Sequence, residues 1–371
     1  MGNSESQMKR FRRRCNAILV MMLGVSPFAL TQTGSVRGVH DPAVIRSGES
    51  FYIFSTGRGI PMRRSDDLFN WQSTGTVFAD DMPAWAKTEI PGARGLWAPD
   101  ISFHAGKFWL YYSVSTFGSQ RSAIGLAVNM TLDPASPDYR WVDRGMVIDS
   151  APGKCDFNAI DPAAFTDRQG RRWLAWGSFW SGIKMTRLDP QTGKRISPDS
   201  RIFPVARRPQ ATAVEAPYVV FHDGYYYLFV SFDQCCKGVK STYKMMVGRG
   251  REPTGPYLDA SGRDMMEGGG TLVLDGGERW KGPGHNSFLQ LPGGDYLVHH
   301  AYDAQNNGVA ALQIRPITWE AGWPKPGEPI STGVSLTAAG RGERITDWTI
   351  GVKRMYLCMG SRVIVGGLVV P

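Results

Sequence analysis

A chain of 371 residues with 42% hydrophobic content can bury a large core, and length alone suggests two or three domains. Aromatic residues make up 11%, Gly and Pro number 44 and 24, and no long helical periodicity is present; this balance argues against a helical protein and for many short strands joined by turns. The formal charge of +9 would suit a nucleic-acid binder, but residues 1–31 hold five Lys or Arg against one Glu, the rest stands at +5, and its basic residues are scattered, so no nucleic-acid partner is expected.

The first element is an addressing signal. The basic run KRFRRR (Lys9 to Arg14) precedes the apolar CNAILVMMLGV and the breaker SPFALTQ, the layout of a secretory signal peptide over residues 1–31. The apolar run is too short to span a bilayer comfortably, so the expectation is a secreted or extracytoplasmic protein without stable membrane association. Beyond it the cysteines are sparse: Cys155, the adjacent Cys235 and Cys236, and Cys358, with no Cys-x-x-Cys spacing for zinc and no assignable pairing.

From residue 41 onward one pattern is stated five times. An extended run is followed by a turn residue and an aromatic strand: DPAVIRS before GESFYIFST, PDISFHA before GKFWLYYSV, DPAAFTDRQ before GRRWLAWGS, APYVVFHD before GYYYLFVSF, and HNSFLQLP before GGDYLVHHA. A third strand follows each hairpin (IPMRRSDDL, SAIGLAVNM, GIKMTRLDP, TYKMMVGRG, GVAALQIRP). A fourth is placed at WQSTGTVF, YRWVDRGMVI, GKRISPDSRIF, GPYLDASG and WEAGWPKPG. Repeats of about 60 residues and four strands are the period of a β-propeller blade, so the chain is read as all-β, a five-bladed β-propeller over residues 32–329. The text from 330 to 371 does not repeat the pattern and is an atypical C-terminal segment; if it supplies no closing strand, SVRGVHDP must do more of the closing.

In a propeller the first strands of successive blades line the axis, so the residues that open them converge. Asp41, Asp161, Glu215 and His285 all stand at such openings. An Asp before Pro is also a common turn starter, and Asp100 in WAPD, out of register with the others, is read that way. Three carboxylates brought together repel one another unless a function holds them there.

With those motifs on the page, the sequence resembles glycoside hydrolase family 43, and within it the arabinan endo-1,5-α-L-arabinanases. The resemblance runs from about Gly38 to Trp323 through VHDPAVI, LWAPDISF, DFNAIDPA, WGSFWSGIKM, EAPYVV, GPGHNS and ALQIRP. It implies a five-bladed propeller and inverting cleavage of arabinan, the side chains of pectin, by a monomer. It also implies Asp41 as general base, Glu215 as general acid, and Asp161 as the carboxylate that raises the acid's pKa and orients substrate. His285 matches a histidine beside a calcium or sodium ion in the channel, with no organic cofactor. Substrate contacts are expected from Trp97, Asn158, Ala159, Ile160, Ser178, Phe179 and Trp180, with Phe117 also at the rim, and Gly125 is expected to let the backbone approach the sugar. An exo-acting arabinofuranosidase or β-xylosidase on the same scaffold, and a carbohydrate-binding propeller whose catalysis has lapsed, are the competing readings.

Overall fold

The computed structural model describes residues 33–197 and 200–330, so the expected leader and nearly all of the atypical C-terminal segment lie outside the described residues. Five antiparallel four-stranded sheets form in chain order. Blade one holds Ala43–Ser47 (β2), Ser50–Phe54 (β3), Pro61–Ser65 (β4) and Asn70–Thr76 (β5), with Thr33–Gly34 (β1) added in parallel to β5. Blade two holds Trp97–His104 (β6), Lys107–Val114 (β7), Ser122–Asn129 (β8) and Val142–Ser150 (β9). Blade three holds Ala163–Thr166 (β10), Arg172–Trp176 (β11), Ile183–Leu188 (β12) and Phe203–Ala206 (β13). Blade four holds Val214–His222 (β14), Tyr225–Phe232 (β15), Lys244–Gly250 (β16) and Thr271–Leu274 (β17), and blade five Trp280–Leu291 (β18), Gly294–Asp303 (β19), Val309–Glu320 (β20) and Trp323–Pro326 (β21). A short helix, Ala84–Glu89 (α1), lies between the first two blades in sequence.

The period-two pattern explains why these strands stack as blades. Neighbours in one strand face opposite sides. Ala43 joins a core with Leu110 and Met62, while Val44 joins another with Leu289 and Val298; Leu228 and Phe229 divide in the same way. Five apolar clusters result, one in each interface between successive blades, including that between blades five and one. Hairpin turns set the register: Ala105–Gly106 and Asp223–Gly224 both carry positive φ at both central positions, which Gly adopts without cost and which matches the twist of the flanking strands.

The first strands touch in a closed cycle, β2 to β6 to β10 to β14 to β18 and back to β2. The ring of five blades expected from the repeats is therefore present. Two outer strands differ from expectation. In blade four GPYLDASG, read as the fourth strand, instead forms isolated bridges around Leu258, because Pro and Gly punctuate it, and the apolar β17 beyond it takes the edge. In blade three the edge falls just after the expected segment, on β13.

Closure is shared by two segments. The outer side of β20 pairs with β21 over one half, while the stretch before the first blade covers the other: Gly38 N–H donates to Ala310 O at 2.8 Å and Leu312 N–H to Val36 O at 2.9 Å. Ile330 N–H adds a bond to Ile314 O at 2.9 Å. A side-chain staple also crosses this seam, since Ser287 Oγ donates to Pro42 O at 2.7 Å and accepts from Val44 N–H at 3.2 Å. Ser287→Ala leaves that buried N–H unpaired and is expected to destabilise the ring by about 1–3 kcal/mol, read as a lowered midpoint in denaturant unfolding.

Candidate active site

Each blade carries, on or just before its inner strand, a residue in the left-handed region. These are Asp41 (φ 50°), Ala98 (44°), Asp161 (58°), Ala216 (57°) and His285 (49°), four of them followed by Pro. Non-Gly residues rarely adopt this conformation, which costs on the order of 1–3 kcal/mol at each site. A side chain bonds the N–H of every one. Thr56, Ser113, Ser231 and His300, at matching positions on or just beyond the second strands, accept the N–H groups of Ala98, Asp161, His285 and Asp41 in the next blade, at 2.8, 2.9, 2.9 and 3.1 Å. Blade three has Gly177 at that position, and Asp161 Oδ2 accepts the Ala216 N–H instead, at 3.1 Å.

Asp41, Asp161 and His285 thus occupy equivalent positions, while Glu215 sits one residue earlier, in the place that Trp97 holds in blade two. All four face one another at the ring centre; the three carboxyl groups are buried and His285 is partly exposed. Asp41 Oδ1 meets His285 Nδ1 at 3.0 Å; its Oδ2 meets His40 Nδ1 at 2.8 Å and accepts from Thr56 Oγ1 at 2.5 Å. Glu215 Oε2 accepts from Ser178 Oγ and its Oε1 from Tyr243 OH, both at 2.6 Å.

Charge follows from this geometry. Burial works to raise the Asp41 carboxyl, but His40 and His285, each bonded through Nδ1, outweigh it and hold Asp41 well below the usual carboxylate range. Burial pushes Asp161 up to about 8, against the pull of His285 and with the help of the Glu215 and Asp41 carboxylates. Burial pulls the His285 imidazole down, and Asp41, Asp161 and Glu215 together carry it up to about 9. Burial likewise keeps Tyr243 protonated, so it remains a hydroxyl donor to Glu215. One carboxylate is thereby kept ionised while another nearby holds a proton through neutral pH, which is the division of labour that general acid–base chemistry needs.

The rim residues divide into two groups. Ser178 touches Glu215 directly, Phe179 and Trp180 follow it with φ of 54° and 41°, and Trp180 is 38% exposed. Trp97 packs edge-on against Phe117, which is 82% exposed. Asn158, Ala159 and Ile160 are buried: Asn158 accepts from Ser150 Oγ at 3.5 Å and Ala159 N–H donates to the same hydroxyl at 2.9 Å, so this stretch carries Asp161 from beneath. Gly125 lies mid-strand in β8, and a Cβ there would meet the Tyr112 ring at 2.4 Å; its missing side chain makes room for that buried ring and not for a sugar.

Asp100 is not a turn starter. It lies inside β6, and its Oδ2 accepts the Ala164 N–H of blade three at 2.7 Å, the same staple that Ser287 makes between blades five and one. Burial pushes its carboxyl up to about 7. Sequence reasoning missed His40, Thr56, Tyr243 and His300. His40 and His300 were visible in VHDP and LVHHA, adjacent to or aligned with positions already singled out. His40 Nδ1, Asp41 and His300 crowd together, but their facing atoms bond one another or the Asp41 backbone, an internal network and not an ion cage. Two open concavities of about 610 and 590 Å³ lie along residues 76–88 and 139–143, apart from the carboxylates, and gather no comparable chemistry.

A five-bladed ring with an ionised carboxylate and a proton-holding carboxyl set at its axis defines a propeller hydrolase. The sequence profile of Glycosyl hydrolases family 43 matches residues 36–324, and the chain belongs to that family. It is similar to an extracellular exo-α-(1→5)-L-arabinofuranosidase of Cellvibrio japonicus, 46% identical over 78% of this chain and 86% of that one. It is equally similar to an extracellular endo-α-(1→5)-L-arabinanase of Bacillus subtilis, 45% identical over 77% and 87%. A solved Cellvibrio cellulosa α-L-arabinanase complexed with arabinohexaose aligns with a TM-score of 0.75 at 45% identity, over 78% of this chain and 95% of that chain.

The pH response has a defined sign. His285 and Asp161 both have folded pKa values above their unfolded ones of 6.5 and 3.8, so what they contribute is present at low pH and lost as pH rises, through about 9 and about 8 respectively. The melting temperature is expected to fall between pH 7 and 9, and Asp161→Asn to flatten that fall, measured by thermal unfolding across buffers.

Proposed function

We propose that this protein is a secreted hydrolase of α-1,5-linked L-arabinan, cutting internal bonds with inversion. The observation that carries the reading is the cluster of Asp41, Asp161 and Glu215 around His285, with Asp41 kept ionised by two histidines. Asp41 takes a proton from water, which attacks the anomeric carbon; Glu215 gives a proton to the departing glycosidic oxygen. Ser178 and Tyr243 hold the acid's two oxygens, and Asp161 bonds the backbone N–H of Ala216 just after it. Trp97 and Trp180 offer flat faces for sugar rings at the rim.

Secretion is supported by the relatives' description as extracellular and by a Cys235–Cys236 disulfide, which persists in an oxidising compartment. Among the described residues no helix is long and apolar enough to cross a membrane. A lapsed binding propeller is disfavoured, since binding alone needs no ionised base bonded to two histidines opposite a protonated partner. The exo reading stays open as a second outcome, because exo- and endo-acting relatives are equally similar. Debranched linear arabinan is therefore the substrate to use: a ladder of oligosaccharides is the expected product, and monosaccharide alone would establish exo action. Glu215→Gln and Asp41→Asn are each expected to lower kcat by about 10²–10⁴-fold or more while leaving sugar binding largely intact, and full turnover by either would refute its assigned role.

A calcium or sodium ion in the channel is part of this reading, with His285 as the residue that would face it and oxygen ligands making up the rest of its shell. Asp41 occupies His285 Nδ1, so only the deprotonated ring would offer Nε2 to an ion, whose charge would then take the place of the proton that the neighbouring acidic groups draw to His285. Bound there, it would supply positive charge to the pocket. Chelation is expected to lower the melting temperature or the rate, and no response to a chelator counts against an exchangeable ion.

A further inference from the structure

The proposed base carries a hydrogen-bond network that the acid–base scheme leaves unexplained. Asp41 Oδ2 receives two donors, Thr56 Oγ1 at 2.5 Å and His40 Nδ1 at 2.8 Å, while Oδ1 faces His285 alone at 3.0 Å, with the His300 nitrogen 3.6 Å away. Both donors to Oδ2 are set by backbone N–H groups farther back. The Ala98 N–H donates to Thr56 Oγ1 at 2.8 Å, so the threonine hydrogen is left for Asp41. The Cys236 N–H donates to Tyr302 OH at 2.7 Å, and that hydroxyl, which also has Ser241 beside it, lies 2.7 Å from His40 Nε2, within reach to donate its hydrogen to the ring. That places the imidazole hydrogen on Nδ1, aimed at Asp41.

The two relays share a mode of anchoring. Ala98 and Cys236 are both left-handed, with φ of 44° and 66°, and Cys236 is tied through its side chain to Cys235. His40 is further clamped by stacking on His300, ring centroids 3.9 Å apart, and Cys236 Sγ lies 3.9 Å from its Nε2. Its surroundings leave it little freedom to turn. Resting on the reading of Asp41 as general base, we propose that His40 is a positioning residue, held by Tyr302 and the Cys236 backbone as the neutral Nδ1–H tautomer. In that state it saturates Asp41 Oδ2 and leaves Oδ1 as the oxygen that deprotonates water.

A neutral donor suits this task. The phenol hydrogen on Nε2 opposes a second proton on the ring, which leaves His40 a single hydrogen to give, at Nδ1. The relay acts on the chemical step and not on sugar binding, so its loss should appear in kcat.

The test combines kinetics on debranched arabinan with ¹⁵N NMR of imidazole-labelled wild type. The spectrum is expected to show His40 protonated at Nδ1 alone, and Tyr302→Phe to shift it toward a mixture of forms. His40→Ala is expected to lower kcat about tenfold to a hundredfold with KM within about twofold, and His40→Asn, whose amide N–H can occupy the Nδ1 position, to recover most of that loss. An Nε2–H tautomer or a doubly protonated ring in wild type overturns the relay, as does His40→Asn performing no better than His40→Ala, or an effect confined to KM. Asp41→Asn is run alongside: if it retains turnover, the assignment of the base fails, whereas an inactive Asp41→Asn with a fully active His40→Ala removes only the relay.

Discussion

Everything at the centre of this ring depends on a strained backbone conformation repeated in each blade. A left-handed residue at the start of the inner strand turns its side chain toward the axis, and its N–H is bonded by a side chain from the blade before, or in blade four by the Asp161 carboxylate. Strain of this kind survives only where the surroundings fix it. The bonds that fix it run round the ring, so correct stacking of the blades and correct aim of Asp41, Asp161 and His285 are one condition. Where blade three lacks the second-strand side chain, at Gly177, the Asp161 carboxylate supplies the bond. A group that titrates is thereby built into the framework, at the position where its proton matters to the chemistry.

The same arrangement settles how three buried carboxylates coexist. Histidines on both sides of Asp41 favour its ionised form, and enclosure of Asp161 favours its protonated form, so repulsion is relieved by giving the groups different charges. Asp100 obeys the same rule in a structural role: burial pushes it up to about 7 while it staples blade two to blade three.

Much of this was legible in the sequence. Hairpin periodicity and the recurring Pro after the axial residue gave the blade count, and the carboxylates stood at matched positions, with Glu215 displaced by one residue. What escaped reading depends on contacts between distant strands. Tyr243 lies on no axial position and reaches Glu215 from the start of blade four's third strand; Asp100 could be told from a turn starter only by knowing that Ala164 faces it. Gly125 shows the reverse error, where a glycine assigned to substrate approach answers to a tyrosine on the neighbouring strand. The outer strands of blades three and four were misplaced because edge strands carry weak patterns and Pro-rich turns imitate their boundaries.

Closure by the stretch around Val36 and Gly38 has a consequence for how the molecule is made. Asp41 draws its N–H bond from His300, 259 residues farther along, and the outer side of β20 needs partners from both ends of the ring. Such contacts demand closing nearly the whole ring of blades into one loop, which places this architecture among slow folders. During synthesis the early blades can form in turn, but the base cannot acquire its final geometry until blade five emerges. A nascent chain would therefore hold four well-formed blades and no working site, and catalytic competence would arrive in a single late event.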